Sequence, residues 1–231
     1  MTIDIASALI WFTAFLFSTT VHEAMHAFAA WRLGDPTAYN GGQVSLSPVP
    51  HVAREPLGMV VLPLLTSVTQ GWAIGWASCP YDPVWAERYP KRAAIMAAAG
   101  PAGNLLVALA ALVLIKAGLL AGLLVAPNHA SFDSIVELAG GPSFITGLLS
   151  VFVVMNVFLA VFNLLPLPPL DGSAVFTIFL PEEYALRLRN LYRNPSMSLV
   201  GMLVAWKVFP AVVGPLFGAV LRVVHPGLSY S

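Results

Sequence analysis

Three ionisable side chains stand within five residues inside an otherwise apolar stretch: His22-Glu23-Ala24-Met25-His26. On a helix, residues four apart share a face, so both imidazoles can bind one metal ion. Glu23, one residue on from His22, is close enough to act on a water there without being a ligand itself. Zinc suits this donor set, because it accepts imidazole nitrogen and catalytic zinc sites use three protein ligands with one position left open. Burying three ionisable groups in an apolar span is expensive and calls for a common purpose. Chance is the competing explanation for a pattern this short, and the apolar surroundings weigh against it. The chemistry implied is hydrolysis, with Glu23 taking a proton from the attacking water as general base.

A third ligand is needed, and the sequence offers few at membrane depth: Asp171, His51 and Cys79. Asp171 follows the break Asn163-Leu164-Leu165-Pro166-Leu167-Pro168-Pro169-Leu170-Asp171-Gly172. Its prolines unwind the backbone and can fix a side chain at the depth of a helix end. The alternative for Asp171 is an N-cap on the stretch that follows.

The elements that position these residues are membrane spans. Of 231 residues, 58% are apolar and 10% charged, with a mean hydropathy of +0.80. Soluble domains carry about 25% charged residues. The composition therefore excludes an ordinary soluble enzyme, a disordered chain and a disulfide scaffold, the last also because Cys79 is the single cysteine. Basic and acidic residues balance at 11 each, and no basic run points to nucleic acid. The expected fold is an all-α polytopic membrane protein of one domain, residues 1–231. It would have four to six transmembrane helices and a short β-hairpin or re-entrant segment near the active site. Apolar stretches run over about 5–33, 57–76, 93–125, 144–165 and 197–224. The first lacks a basic flank and a cleavage site, so it reads as a retained span. Lys207, Pro210 and Pro215 interrupt the last one and leave its number of crossings open.

Loop charge sets an expected orientation. Arg32, Arg54, Arg88, Lys91 and Arg92 lie between the first span and the one starting at Ala93, and Arg187, Arg189 and Arg193 precede the last. The loop from Asn128 to Pro142 has no Lys or Arg. Both basic regions are then cytoplasmic and the N-terminus outside, in a cell (plasma or inner) membrane, with the site toward the cytoplasm. Residues 57–76 are then expected to enter and return, with Gln70-Gly71 suited to the bend; the alternative is a single full crossing, which would put Arg88, Lys91 and Arg92 outside against the charge rule.

The motifs together resemble the site-2 protease family of intramembrane zinc metalloproteases. His22-Glu23-Ala24-Met25-His26 lies in the first span, and Asn163 precedes Asp171-Gly172 in the proline-rich pattern. Ser45-Leu46-Ser47-Pro48-x-x-His51 and Ala99-Gly100-Pro101-x-x-Asn104 are similar to two further stretches of that family. Ser173, Ser47 and Ala53 depart from its usual Gly, Asn and Asp. The resemblance implies one Zn2+ held by His22, His26 and Asp171, with Glu23 catalytic and Asn163 at the substrate or the oxyanion. It also implies membrane-anchored protein substrates cut within or near their transmembrane segments, by a minimal member without a PDZ or CBS domain. The alternative is a non-proteolytic membrane protein that binds or transports metal. Assembly of several copies is left open.

A transmembrane substrate hides its peptide bonds in helical hydrogen bonds and must be received extended. Gln43-Val44-Ser45-Leu46-Ser47 alternates polar and apolar residues, so it is the candidate strand for pairing with substrate; a plain connector is the equal alternative. His51 reads as a structural or groove residue, Asn104 as a link between helices, His129 and His225 as surface residues. Trp11, Trp72, Trp76, Trp85 and Tyr89 read as interfacial anchors. Acceptors for the outer imidazole nitrogens cannot be assigned from sequence, although Ser18 and Thr19 lie nearby.

Overall fold

The computed structural model describes residues 4–192 and 194–227; Arg193 lies outside them. Helix α1 spans Ile5–Arg32 and is followed by two short helices, α2 (Thr37–Asn40) and α3 (Val49–Arg54). A π-helical turn at Leu57–Val61 runs into α4 (Leu62–Gln70). Helices α5 (Pro83–Arg88) and α6 (Pro90–Leu120) come next. Strands β1 (Leu124–Val125) and β2 (Glu137–Leu138) then pair antiparallel. Helix α7 covers Phe144–Asn163, followed by α8 (Asp171–Phe176), α9 (Glu182–Tyr192) and α10 (Pro195–Val224).

Among the described residues, four helices are long and apolar enough to cross a membrane: α1, α6, α7 and α10. The protein is an all-α polytopic membrane protein, and the four spans match the sequence expectation in place. Pro210 and Pro215 do not divide α10, which is continuous over 30 residues. Neighbouring helices and local adjustment let a span tolerate proline.

Side-chain contacts give the order of the bundle. His26 meets Met96 and His22 meets Asn104, so α1 and α6 run antiparallel. Asn104 reaches Asn156 on α7, and Lys116 of α6 reaches the last carbonyl of α10, at Val224. One apolar core joins α6, α7 and the end of α10 through Ile115, Val154 and Val224. A second joins α1 to α7 through Trp11, Phe15 and Val151. Trp11 and Trp85 are thus core residues, each 6% exposed, rather than interfacial anchors. Their rings pack on neighbouring helices, where sequence composition alone pointed to lipid headgroups.

The expected chain reversal at 57–76 is present. Helix α4 ends at Gly71, whose φ of +77° suits glycine, and the chain returns without helix or strand. The Ile74 N–H donates to Thr66 Oγ1 at 2.9 Å and the Trp76 N–H to Gly58 O at 3.1 Å. The two ends of the segment therefore lie side by side. Glu55 clasps this base, accepting from Ser78 Oγ at 2.5 Å and from Trp76 Nε1 at 3.3 Å.

The β-hairpin lies at the other end of the bundle, where Asp133 approaches Ser7 at the start of α1. Gln43–Ser47 is not a strand. Serine side chains capture the backbone there: Ser45 Oγ accepts from the Ser47 N–H and Ser47 Oγ from the Val49 N–H. Such local bonds offer the chain an alternative to a ladder and overrode a short alternation.

Candidate metal centre

Helix α1 carries His22, Glu23 and His26 within its buried face, at 8%, 5% and 5% exposure. His22 lies ten residues before the helix ends at Arg32, or about 15 Å along its axis. Opposite, α6 presents Gly100. A Cβ at that position would overlap Nε2 of both histidines, so only glycine lets α6 approach this closely.

Asp171 arrives from a different part of the chain. It begins α8, and its side chain caps nothing, since the cap residue is Leu170 and no side-chain cap bond forms. The N-cap alternative for Asp171 is therefore not what the structure has. Gly172 is buried against the end of α7, where a Cβ would strike the Leu164 and Leu165 carbonyls. That close packing, after the proline-rich break, aims Asp171 back at α1. Asp171 Oδ2 lies 3.2 Å from His22 Nε2, and Oδ1 lies 3.4 Å from His26 Nε2.

Proton positions at the two histidines follow from their partners. His22 Nδ1 sits 2.6 Å from Asn104 Oδ1, and His26 Nδ1 sits 2.8 Å from the Met96 carbonyl. Both partners are acceptors, so each Nδ1 carries the proton and donates. The two Nε2 atoms, 2.9 Å apart, then turn lone pairs toward each other and toward a carboxylate. Three acceptor groups converge with no donor among them, an arrangement that a divalent cation satisfies. His22, Glu23 and His26 offer ligand atoms within 4.8 Å of one another. Glu23 Oε2 and Asp171 Oδ2 are buried and have no hydrogen-bond partner. The donor set, two imidazoles with a carboxylate, suits zinc.

The acceptors for the outer nitrogens are Asn104 and a backbone carbonyl, not Ser18 or Thr19, whose hydroxyls serve other partners. Thr19 Oγ1 donates to Phe15 O, and Ser18 Oγ accepts from Asn156 Nδ2. Asn104 links α1, α6 and α7 as its type suggested, and it also orients His22. Asn156 and Met96 O were missed. A backbone carbonyl leaves no trace in sequence, whereas Asn156, a polar residue in the middle of the apolar run 144–165, was a readable signal.

Other site candidates fall in different places. Asn163 closes α7, half-buried, and its amide donates to Leu159 O at 3.0 Å; the structure records no bond from it to the histidines or Asp171. His51 is 2% exposed and donates from Nε2 to Ser45 O, so it braces the 43–51 loop. Gln43 is buried beside α2, with Val44 and Ser45 partly covered and Leu46 and Ser47 exposed. Cys79 lies outside the spans. Burial, then the Glu23 carboxylate, push its thiol up to about 12, which keeps it protonated and a poor ligand. His129 is exposed as expected. His225 is not a surface residue: it is 6% exposed, and its Nε2 donates to Ile135 O at 2.7 Å.

The model of peptidase family M50 matches residues 10–205, a stretch that contains every member of the centre. The chain belongs to peptidase family M50. Among its relatives, YwhC of Bacillus subtilis is 29% identical over 165 residues, 71% of this chain and 66% of its own length. Rip2 of Mycolicibacterium smegmatis is 30% identical over 171 residues, 73% of this chain and 56% of its own. Rip2 of Mycobacterium tuberculosis is 31% identical over 206 residues, 89% and 69%. All three carry the provisional name of zinc metalloprotease. The chain spans 66% and 56% of the length of the first two of these relatives. No solved structure matches it significantly.

Proposed function

We propose that this chain is an intramembrane zinc endopeptidase that hydrolyses peptide bonds of membrane-anchored proteins within or near their transmembrane segments. The observation that carries the reading is the convergence of His22 Nε2, His26 Nε2 and Asp171 within 3.4 Å of one another. The adjacent Glu23 carboxylate oxygen, buried and unpartnered, completes it. In this reading His22, His26 and Asp171 hold the zinc ion, which when bound supplies Lewis-acid activation of water and carbonyl. Glu23 takes the proton from the attacking water and returns it to the leaving amine. Asn163 is assigned to the substrate or the developing oxyanion, as a donor on the α7 side.

The rail that receives an extended substrate is assigned to the return limb of the re-entrant segment. Among the described residues, the backbone N–H groups of Ala77, Ser78 and Cys79 have no acceptor. A row of unpaired backbone groups is a ready template for another chain, and an extended peptide can pair with such an edge. Cys79 packs against the cluster of Ala30, Trp85 and Met96, and the Met96 carbonyl accepts from His26 Nδ1, so the limb lies against the α1 and α6 faces that carry the centre.

The clustering of basic residues at the metal-centre end supports an orientation with that end toward the cytoplasm, in the cell membrane. A transporter needs ionisable groups along a path through several spans; here they gather at one point. The test is purified protein with zinc and a membrane-anchored reporter. The wild type cleaves, while Glu23→Gln retains zinc, does not cleave and captures substrate. Cleavage surviving in Glu23→Gln would remove Glu23 from its role.

A further inference from the structure

We propose that Asn156 on α7 is a positioning residue for the metal centre: acting through Asn104, it holds His22 in the tautomer that turns Nε2 toward Asp171. The inference rests on the zinc-site reading above.

The connections run in one direction. Asn156 Nδ2 donates to the Phe152 carbonyl at 2.9 Å and to Ser18 Oγ at 2.8 Å. A carbonyl accepts only, so the Asn156 amide has one orientation, and its Oδ1 faces Asn104. Asn104 Nδ2 donates to that Oδ1 at 2.8 Å and to Ser18 O at 3.2 Å. Its own Oδ1 is thereby left for His22 Nδ1, at 2.6 Å. Both asparagines are fully buried. The outer bond of a metal-binding histidine sets which of its nitrogens is free for the metal.

Asn156 supplies the shorter of the two bonds that prevent the Asn104 amide from turning over. A turned amide would present Nδ2 to His22 Nδ1. The imidazole proton would then sit on Nε2, between His26 Nε2 and Asp171, where a metal ligand needs a lone pair. Packing alone does not require an asparagine here, because leucine fills a similar volume in an apolar span at no polar cost.

The experiment uses the full chain in detergent micelles, with zinc titrated against a chromogenic chelator and the metal-free protein labelled with 15N-histidine. Asn156→Leu should weaken zinc binding about 10–100-fold and move the His22 proton signal from Nδ1 to Nε2. Asn156→Asp, neutral when buried in the span, keeps an oxygen for Asn104 Nδ2 and a hydroxyl for the Phe152 carbonyl, and should stay close to wild type on both measures. The double variant Asn104→Leu/Asn156→Leu should bind no more weakly than Asn104→Leu, because both act through one bond to His22. Wild-type zinc affinity and an Nδ1 proton in Asn156→Leu would overturn the proposal. So would an Asn156→Asp protein as weak as Asn156→Leu, which also decides the matter if the leucine variant fails to fold. A wild type that binds no zinc would overturn the metal centre itself, whereas a zinc-binding wild type with an indifferent Asn156→Leu removes only this inference.

Discussion

The bundle buries polar groups at both of its ends, and it does so differently. At the hairpin end, His225 Nε2 donates to Ile135 O at 2.7 Å and Lys116 Nζ to Val224 O at 2.8 Å. Each donor meets an acceptor, and the bonds staple α6, α10 and the hairpin loop together. At the other end, His22 and His26 spend their donors outward, on Asn104 and Met96 O. Their acceptors point inward with Asp171. Two buried histidine environments thus separate by bond direction: complementary pairs hold structure, and converging acceptors make a ligand set. Leaving a buried acceptor without a donor costs about 1–3 kcal/mol, so a set of them persists where a bound cation offsets that cost.

That contrast can be broken in order of expected effect. Glu23→Gln should lower peptide cleavage about 10²–10⁴-fold, the usual contribution of a general base, with zinc content unchanged; a reporter assay beside metal analysis reads both. Asp171→Ala should reduce zinc affinity by more than the roughly 10–100-fold typical of an outer partner. Unchanged stoichiometry would move the third ligand elsewhere, with His51 the first to test. His225→Ala should cost about 1–3 kcal/mol of stability through the unpaired Ile135 carbonyl and leave zinc binding intact. Zinc loss in that variant would mean that the two ends are coupled. Lys116→Met should cost about 1 kcal/mol or less, within the average for hydrogen bonds inside membranes, read as a small shift in thermal melting without change in metal content.

Legibility differed by the kind of evidence each feature needs. The four spans are runs of apolar residues, and a run survives any tertiary arrangement, so α1, α6, α7 and α10 were read within a few residues. The chain reversal at 57–76 was legible because loop charge favoured a return over a single crossing, with Gly71 at its bend. Gln43–Ser47 failed as a strand because Ser45 and Ser47, in a short alternation, bond to backbone nearby in the chain. Trp11, Trp85 and His225 failed because residue type reports preference for an interface or a surface, while the neighbours that bury these side chains come from distant helices.

The sequence by itself determined that the chain lives in a membrane and that His22, Glu23 and His26 share one helix, because hydropathy and helical period are local properties. Its motifs also carried the family resemblance that places Asp171 in the set. Only the tertiary structure decided that Asp171 and both imidazoles meet within 3.4 Å. It also decided that Gly100 makes room for them, and that Asn104, Asn156 and Met96 O fix the proton positions. The reason is physical: ligand identity is written in single residues, whereas a free lone pair depends on the direction of hydrogen bonds between helices far apart in the chain.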